Sequence, residues 1–263
     1  MIGLFLGEKK LPLEILKSLK KKKIKYFIID LSKNNKFKKD KNSYFINIGK
    51  FGKILDLIKS KKCKKVIFAG NIIKPRLSKL KLDIKGIYYI PRIIKASKLG
   101  DAAILKELIK ILSENKIKVI KLNTFNPELT LKRGCYTKIK PSSSDLITIR
   151  KGIQILNKSN SFNHVQALVI NNHKIVSFEK RKGTKDMLKS LRKNNLQNKL
   201  LLKMPKSKQD LRVDLPTIGL DTIKDCKKAK IKGIVVKANQ NIFLDKHEGL
   251  KFANKNRIFV IAK

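Results

Sequence analysis

The most informative stretch of the chain, residues 204–219, reads Met-Pro-Lys-Ser-Lys-Gln-Asp-Leu-Arg-Val-Asp-Leu-Pro-Thr-Ile-Gly. The apolar run Lys199 to Leu202 before it predicts a buried strand, and the residues from Asp221 onward predict a helix. The stretch therefore follows the carboxyl end of a strand, where open α/β sheets bind their ligands. Because Pro205 and Pro216 restrict φ near its two ends, we expect a stiff loop that holds its polar side chains in place.

The first half of the chain alternates between strand-like and helix-like patterns. Short apolar runs predict buried strands at Ile2–Leu6, Tyr26–Leu31, Tyr44–Ile48, Val66–Ala69 and Ile117–Leu122. Apolar residues at helical spacing lie between them, at Leu13, Leu16 and Leu19, at Ile54, Leu55 and Ile58, and at Leu105, Leu108, Ile109 and Leu112. This alternation predicts a Rossmann-like domain with a parallel sheet. The first turn, Gly7 to Pro12, lacks Gly-x-Gly-x-x-Gly, so no ordinary dinucleotide site is expected.

The second half predicts a mixed α/β domain. Residues 123–141 show no sustained period, so we place the boundary near residue 135 and divide the chain into residues 1–135 and 136–263. Helix-capping residue types at Ser143, Ser144 and Asp145 predict that this domain begins with a helix. Asn171-Asn172 predicts a hairpin turn. The strands are expected at Val165–Ile170, Ile175–Phe178, Lys199–Leu202, Gly233–Lys237, Ile242–Leu244 and Ile258–Ile261.

The charge of the chain is strongly positive. Lys and Arg total 64 and Asp and Glu total 19, which gives a formal net charge of +45. Such an excess favours nucleic acid, an anionic membrane or a polyanionic substrate as partner. The lysines are spread over almost every segment, however, and aromatic residues make up only 6% of the chain with no Trp. A nucleic-acid-binding protein is therefore an alternative supported by charge alone, since single-strand binders interleave aromatics with their basic groups.

Targeting and cysteine patterns point to a reducing cytoplasm. Met1 to Gly7 is apolar but has no basic segment before it, so it predicts a first strand and not a secretory signal. No apolar run approaches the roughly 18 residues that a membrane-spanning helix needs. Cys63, Cys135 and Cys226 lack the spacing of a zinc site or a disulfide framework.

The loop after Leu202 matches a family motif in order and spacing. It resembles Lys-x-x-Lys-Pro-Gly-Gln-Asp-x-Arg-x-Asp-Leu-Pro-x-x-Gly of the LpxI family, the UDP-2,3-diacylglucosamine diphosphatases of lipid A biosynthesis. The matching residues are Lys203, Lys206, Gln209, Asp210, Arg212, Asp214, Leu215, Pro216 and Gly219, while Ser207 and Lys208 replace the family's Pro-Gly. Patchier matches extend the resemblance over nearly the whole chain, at Gly7–Pro12, Gly70–Leu77, Gly100–Asp101, Gln166, Glu179 and Gly183–Thr184.

The resemblance implies a function and a set of site residues. The implied reaction is Mg²⁺-dependent hydrolysis of UDP-2,3-diacylglucosamine to UMP and 2,3-diacylglucosamine 1-phosphate. Asp214 is the expected essential carboxylate, as metal ligand or water activator, with Asp210 second and Glu179 as a further metal ligand. The expected substrate contacts are Lys203, Lys206 and Arg212 on the diphosphate, hydrogen bonds from Gln166, Gln209 and Thr184, and contacts from Lys74 and Asp101. Asp101 is equally well explained as the N-cap of a helix.

Several alternatives stay open. Lys stands at three positions where the family carries an acid, Lys182, Lys185 and Lys237, so a family member with impaired activity is one alternative. Asp210 and Asp214 could also only cap turns in a surface loop. A substrate with two acyl chains lies at a membrane, which suggests a cytoplasmic protein that docks peripherally on the anionic inner leaflet. A homo-oligomer is left open.

Overall fold

A computed structural model describes residues 1–72, 80–163, 165–207 and 209–263. The chain forms two compact units, Met1–Pro127 and Glu128–Lys263. The sequence placed the boundary later, near residue 135. That position lies in a short strand, Gly134–Cys135, which pairs with the terminal strand of the second unit and so belongs to it. Among the described residues, no helix combines the length and the apolar character needed to cross a bilayer.

The first unit contains a parallel sheet. Its strands are β1 (Ile2–Leu6), β2 (Tyr26–Asp30), β3 (Ser43–Phe45), β4 (Lys65–Ala69) and β5 (Lys118–Val119). They lie in the order β3-β2-β1-β4-β5, and each neighbouring pair is parallel. β1 is buried along its whole length, as expected for a parallel strand covered on both faces. The predicted Rossmann-like parallel sheet is confirmed, although β3 and β5 are shorter than the apolar runs suggested.

Four helices of the first unit lie within the described residues, α1 (Leu11–Lys21), α2 (Phe51–Ser60), α3 (Ile84–Ser97) and α4 (Asp101–Glu114). The predicted face of α2 is buried as expected. In α1, Leu16 and Leu19 of the apolar pattern are buried, whereas Leu13 is exposed and Ile15 is buried in its place. The 100° step per residue puts Ile15 on the same face as Leu19, whereas Leu13 points away from it. In α4, Ile109 and Leu112 are buried as predicted.

The start of α4 differs from the predicted N-cap at Asp101. Gly100 is the N-cap residue, and Asp101 is the first residue of the helix instead of its cap. Gly100 has φ +102°, a conformation that residues with a side chain rarely adopt, so the turn into the helix requires glycine at this position. Asp101 still lies in the first turn, where the helix dipole favours a carboxylate.

Helix α3 was not predicted from the sequence. Asp83 caps it, accepting a hydrogen bond from the backbone N–H of Gly86 at 2.8 Å. Arg92 then ties it to α4, because its Nε donates to Glu107 at 2.6 Å and its Nη1 donates to Glu114 at 2.7 Å. Pro91 lies inside the helix, where proline normally ends one. Tertiary packing against α4 therefore outweighs the local preference of the sequence.

The second unit is built on a mixed sheet. Its strands are β6 (Gly134–Cys135), β7 (Ala167–Asn171), β8 (Lys174–Phe178), β9 (Lys199–Lys203), β11 (Ile231–Val236) and β13 (Phe259–Ala262), with β10 (Thr217–Ile218) and β12 (Ile242–Phe243) as a separate parallel pair. The main sheet has the order β6-β13-β11-β9-β7-β8. β9, β11 and β13 are parallel, while β6, β7 and β8 run antiparallel to their neighbours. The predicted mixed α/β domain is confirmed.

Alternate residues of these strands face two cores. The described helices are α5 (Ser143–Asn163), α6 (Gly183–Ser190), α7 (Leu220–Lys228) and α8 (Lys246–Lys255). Leu201 and Ile234 belong to the core that contains buried residues of α6, α7 and α8. Their neighbours Leu202 and Val235 belong to the other core, with buried residues of α5. The two-residue period of the strands therefore separates the helices into two layers around the sheet.

In the second unit, the observed helix cap and hairpin turn each lie one residue away from the predicted positions. Ser142, and not Ser143, caps α5: its backbone N–H donates to the Asp145 carboxylate at 2.8 Å, and its Oγ accepts from the Asp145 N–H at 3.2 Å. In the β7–β8 hairpin the residues with positive φ are Asn172 and His173, at 41° and 66°. The predicted turn at Asn171-Asn172 was thus one residue early, since Asn171 still pairs with Lys174 in the ladder.

Candidate functional site

The predicted site lies at one edge of the sheet in the second unit, beyond the carboxyl end of β9. Lys203, the last residue of β9, is opposite Ala167 of antiparallel β7 and opposite Val236 of parallel β11. The start of β7, the end of β9 and the end of β11 therefore meet at this edge. The loop 204–216 leaves from the same place, as the sequence predicted.

A chain of three polar side chains crosses this edge. The Lys203 ammonium donates to Thr184 Oγ1 at 2.9 Å, and the Thr184 hydroxyl donates to Glu179 Oε1 at 2.6 Å. Lys203 is only 9% exposed and Thr184 only 7%, so the cation and the hydroxyl are held inside the protein. A buried charge needs such partners to remain ionised. The arrangement orients the Glu179 carboxylate through Thr184.

Gln209 braces the loop against the sheet. Its Oε1 accepts a hydrogen bond from Gln166 Nε2 at 3.2 Å and another from the backbone N–H of Lys206 at 2.9 Å. Gln166 in turn accepts from the N–H of Met204 through its backbone oxygen at 2.9 Å. The two glutamines predicted as substrate contacts thus bind each other, and they position Lys206 at the start of the loop.

Asp210 and Arg212 form an ion pair within the loop. Arg212 Nη2 donates to Asp210 Oδ2 at 2.7 Å, and Arg212 Nε donates to Asp210 Oδ1 at 3.0 Å. This hydrogen-bonded pairing raises the pKa of the Arg212 guanidinium. The backbone N–H groups of Val213 and Asp214 also donate to the backbone carbonyl oxygen of Asp210, at 3.1 and 3.0 Å. Asp210 therefore stabilises the turn that carries Asp214.

Asp214 differs from the other two carboxylates of the site. Its side chain is exposed, and it has no hydrogen bond or ion pair to any part of the chain that the structure describes. The backbone beyond it is anchored, since the oxygen of buried Pro216 accepts from the N–H of Ile242 at 2.8 Å. A carboxylate that is held in place but not neutralised can bind a cation or accept a proton from water.

Asn241 is a site residue that the sequence did not reveal. It is 2% exposed. Its Nδ2 donates to the backbone oxygen of Lys203 at 3.0 Å, and its Oδ1 accepts from the N–H of Lys237 at 3.0 Å. Asn241 therefore links the ends of β9 and β11. No motif indicated it, because Lys203 of β9 is 38 residues away in the sequence.

The three lysines at family acidic positions border the same edge. Lys237 directly follows β11, while Lys182 is the N-cap of α6 and Lys185 is in its first turn, on either side of Thr184. All three side chains are exposed. Together with Lys203 and Lys206 they make this edge of the sheet cationic, which suits an anionic ligand.

Two of the predicted contacts belong to the N-terminal half of the sequence. Lys74 lies outside the described residues. Asp101 belongs to the first unit, at the start of α4. Nothing in the geometry of the second unit tests either of them, and both stay predictions.

The donor set can be compared with the needs of Mg²⁺. Within residues 1–72, 80–163, 165–207 and 209–263, no three His, Cys, Asp or Glu side chains gather as a metal-binding group. These described residues therefore do not provide a closed protein cage. Mg²⁺ usually binds through one or two carboxylates together with substrate phosphates and water. Asp214 fits that mode of binding, as the carboxylate without a partner in the described structure.

The fold and the site define a two-domain α/β protein with a cationic, carboxylate-bearing site beyond the central strands of its second domain. Residues 1–129 match the model of the LpxI N-terminal domain, and residues 132–261 match that of the LpxI C-terminal domain. The chain therefore belongs to the LpxI family. It is 29% identical over 224 residues, covering 82% of this chain and 80% of the relative, to the UDP-2,3-diacylglucosamine pyrophosphatase LpxI of Caulobacter vibrioides.

Proposed function

We propose that the protein hydrolyses the diphosphate of UDP-2,3-diacylglucosamine to UMP and 2,3-diacylglucosamine 1-phosphate, a step of lipid A biosynthesis. Membership of the LpxI family and the activity that the name of the Caulobacter relative states support this substrate. The observation that carries the proposal is the edge beyond β9, where Asp214 has no partner in the described structure and lies on a loop braced by Gln209. Hydrolysis of a diphosphate requires a positioned water and compensation of negative charge, and this edge offers groups for both.

In the proposed hydrolysis, each residue of the site has its own role. Asp214 holds or deprotonates the attacking water, and Lys206 binds the diphosphate oxygens. Lys203 acts through Thr184 to orient Glu179, while Asp210, paired with Arg212, shapes the turn under Asp214. Mg²⁺ held by Asp214, with Glu179 as a second ligand, would compensate charge on the phosphates. This division of roles is part of the proposal.

The direct test is release of UMP from the lipid nucleotide by the purified protein. We expect turnover with Mg²⁺ and its loss after chelation, restored by adding Mg²⁺ back. Because Mg²⁺ would be bound jointly with the substrate phosphates, we expect Mg²⁺ alone to leave the thermal unfolding temperature unchanged, whereas Mg²⁺ with the substrate raises it. Undiminished UMP release in excess chelator would contradict the metal assignment. No UMP release under any condition would instead favour the impaired family member.

Lys206→Ala is expected to raise KM while changing kcat little. The residue contributes a cation at the start of the loop, so its loss weakens binding of the diphosphate in the ground state and the transition state alike. We expect an increase in KM of about tenfold, the effect of losing one charge-assisted contact. The matched control is Lys189→Ala, an exposed lysine in the last turn of α6. A fall in kcat with unchanged KM would assign Lys206 to the chemical step instead.

The substrate also suggests where the protein works. A lipid with two acyl chains stays in the membrane, so we propose a cytoplasmic protein that docks peripherally on an anionic lipid surface. The formal charge of +45 favours such a partner.

A further inference from the structure

Helix α3 exposes a row of apolar side chains. Ile84 is 87% exposed, Ile87 60% and Tyr88 71%, and Pro91 in the next turn is also exposed. At three- and four-residue spacing these residues share one face of the helix. Leu99, just after the helix, is 80% exposed as well. Exposed apolar residues are normal singly, but a continuous row on a helix marks an interaction surface.

The opposite face of α3 is already occupied. Gly86 and Ala96 are buried. The ring of Tyr89 packs edge-on against Phe51 of α2 at a centroid distance of 5.6 Å, and Arg92 binds α4. The packing of α3 on its neighbours within the first unit is therefore complete without the outward row.

The charges around this row are positive. The sequence from Ile84 to Gly100 contains no Asp or Glu, and Lys81, Lys95 and Lys98 are exposed. The carboxylate of Asp83, just before the helix, accepts backbone N–H bonds from Gly52, Lys53 and Gly86. Burial acts to raise the pKa of Asp83, but these bonds outweigh it and lower the pKa. Lys85 is paired with Asp56 of α2 at 3.4 Å. The described residues thus place exposed lysines at both ends of the apolar row.

We propose that the outward face of α3 docks the protein on an anionic bilayer, with Ile84, Ile87 and Tyr88 entering the headgroup region and Lys95 and Lys98 binding lipid phosphates. An apolar face bordered by lysines is the pattern of helices that lie in a membrane interface. Tyrosine suits that position because it has an apolar ring and a polar tip. The choice of a lipid surface rests on the proposed function, whose substrate carries two acyl chains.

The charge pattern argues against a second copy of the chain as the occupant. A symmetric dimer with antiparallel α3 helices would bring Lys81 of one copy towards Lys95 and Lys98 of the other, so that lysines would face lysines. No carboxylate of α3 is available to neutralise them. An anionic lipid surface, by contrast, supplies the opposite charge to the lysines at both ends of the row.

The first test is vesicle flotation of the full chain. Wild-type protein should float with phosphatidylglycerol-containing vesicles, much less with phosphatidylcholine alone, and less at high salt. The triple variant I84S/I87S/Y88S should weaken binding at least about tenfold. The double variant K95Q/K98Q should weaken it about fivefold for each lysine removed. The matched controls are Leu13→Ser, an apolar residue 44% exposed on α1, and K227Q/K228Q, two exposed lysines in the last turn of α7, and both should bind like wild type.

A fluorescent reporter gives an independent measurement, because the chain has no Trp. Tyr88→Trp places a single indole on the proposed face, and Phe45→Trp places one on β3, where Phe45 is 56% exposed. Anionic vesicles should shift the emission of Tyr88→Trp to the blue and leave that of Phe45→Trp unchanged. Equal shifts, or none, would overturn the proposal.

Two further outcomes distinguish membrane docking through α3 from dimerisation through the same face and from the proposed hydrolysis. If the triple variant changes a dimer into a monomer and vesicle binding is unaffected, the face is a contact between copies and the lipid proposal is wrong. If wild type binds anionic vesicles through α3 but releases no UMP, docking stands and the proposed function fails. For an active enzyme, the triple variant should lose turnover on vesicle-embedded substrate and keep it on detergent-dispersed substrate. Equal turnover of both by the triple variant would overturn docking through α3.

Discussion

Asp214→Asn is expected to abolish UMP release while leaving the fold and substrate binding intact. The exchange removes the negative charge at nearly constant volume from a side chain that has no partner in the described part of the chain. A carboxylate that holds a metal or activates water lowers the activation barrier by several kcal/mol, so its removal should slow the reaction by at least about a thousandfold. The measurement is single-turnover UMP release, with circular dichroism and equilibrium binding of UDP to confirm fold and affinity.

The matched control for this prediction is Asp186→Asn. Asp186 is an exposed carboxylate in the first turn of α6, in the same unit, and it has no role in the proposed mechanism. We expect it to keep wild-type turnover. Near-wild-type turnover of Asp214→Asn would show that the essential carboxylate lies elsewhere. Asp210→Asn should have a smaller effect than Asp214→Asn, since it would loosen the turn through Arg212 without removing the reacting group.

Lys203→Met is expected to lower kcat/KM by about tenfold to a hundredfold. The change removes the cation that donates to Thr184, and a buried group that loses a charged partner costs roughly 1–3 kcal/mol. Lys199→Met is the matched control, because Lys199 is a fully buried lysine at the other end of the same strand. Its ammonium binds the backbone oxygen of Asn194 at 3.0 Å, away from the site. Both variants should lose some stability, and only Lys203→Met should lose activity.

Variants of Thr184 distinguish a loss of activity caused by lost positioning of Glu179 from one caused by reduced stability. Thr184→Val keeps the shape and removes the hydroxyl that joins Lys203 to Glu179, so it should lose activity like Lys203→Met. Thr184→Ser retains the hydroxyl and should restore most of it. Adding Thr184→Val to Lys203→Met should cost little more, because the two residues act as one unit. Additive losses would show that they act independently.

Local patterns predicted most of the elements. The bounds of β1 agree with the apolar run Ile2–Leu6, and β4, β9 and β13 each agree to within one residue at either end. The prediction succeeded there because buried parallel strands are continuous apolar runs, which are visible without the rest of the chain. It was one residue off at Gly100, Ser142 and His173, where backbone geometry at a cap or turn decides between adjacent polar residues. Helix α3 was missed because Pro91 contradicts a helix locally.

The sequence alone determined the α/β class, the loop beyond β9 and the set of residues it carries, since these depend on order and spacing along the chain. Only the tertiary structure decided how those residues are paired. Lys203 meets Thr184 across 19 residues, and Gln166 meets Gln209 across 43. Asn241 reaches the end of β9 from a distance of 38 residues, with no local signal. Contacts between such distant residues arise from strand order and register, which apolar periodicity does not specify, so these partners became known only once the sheet was assembled.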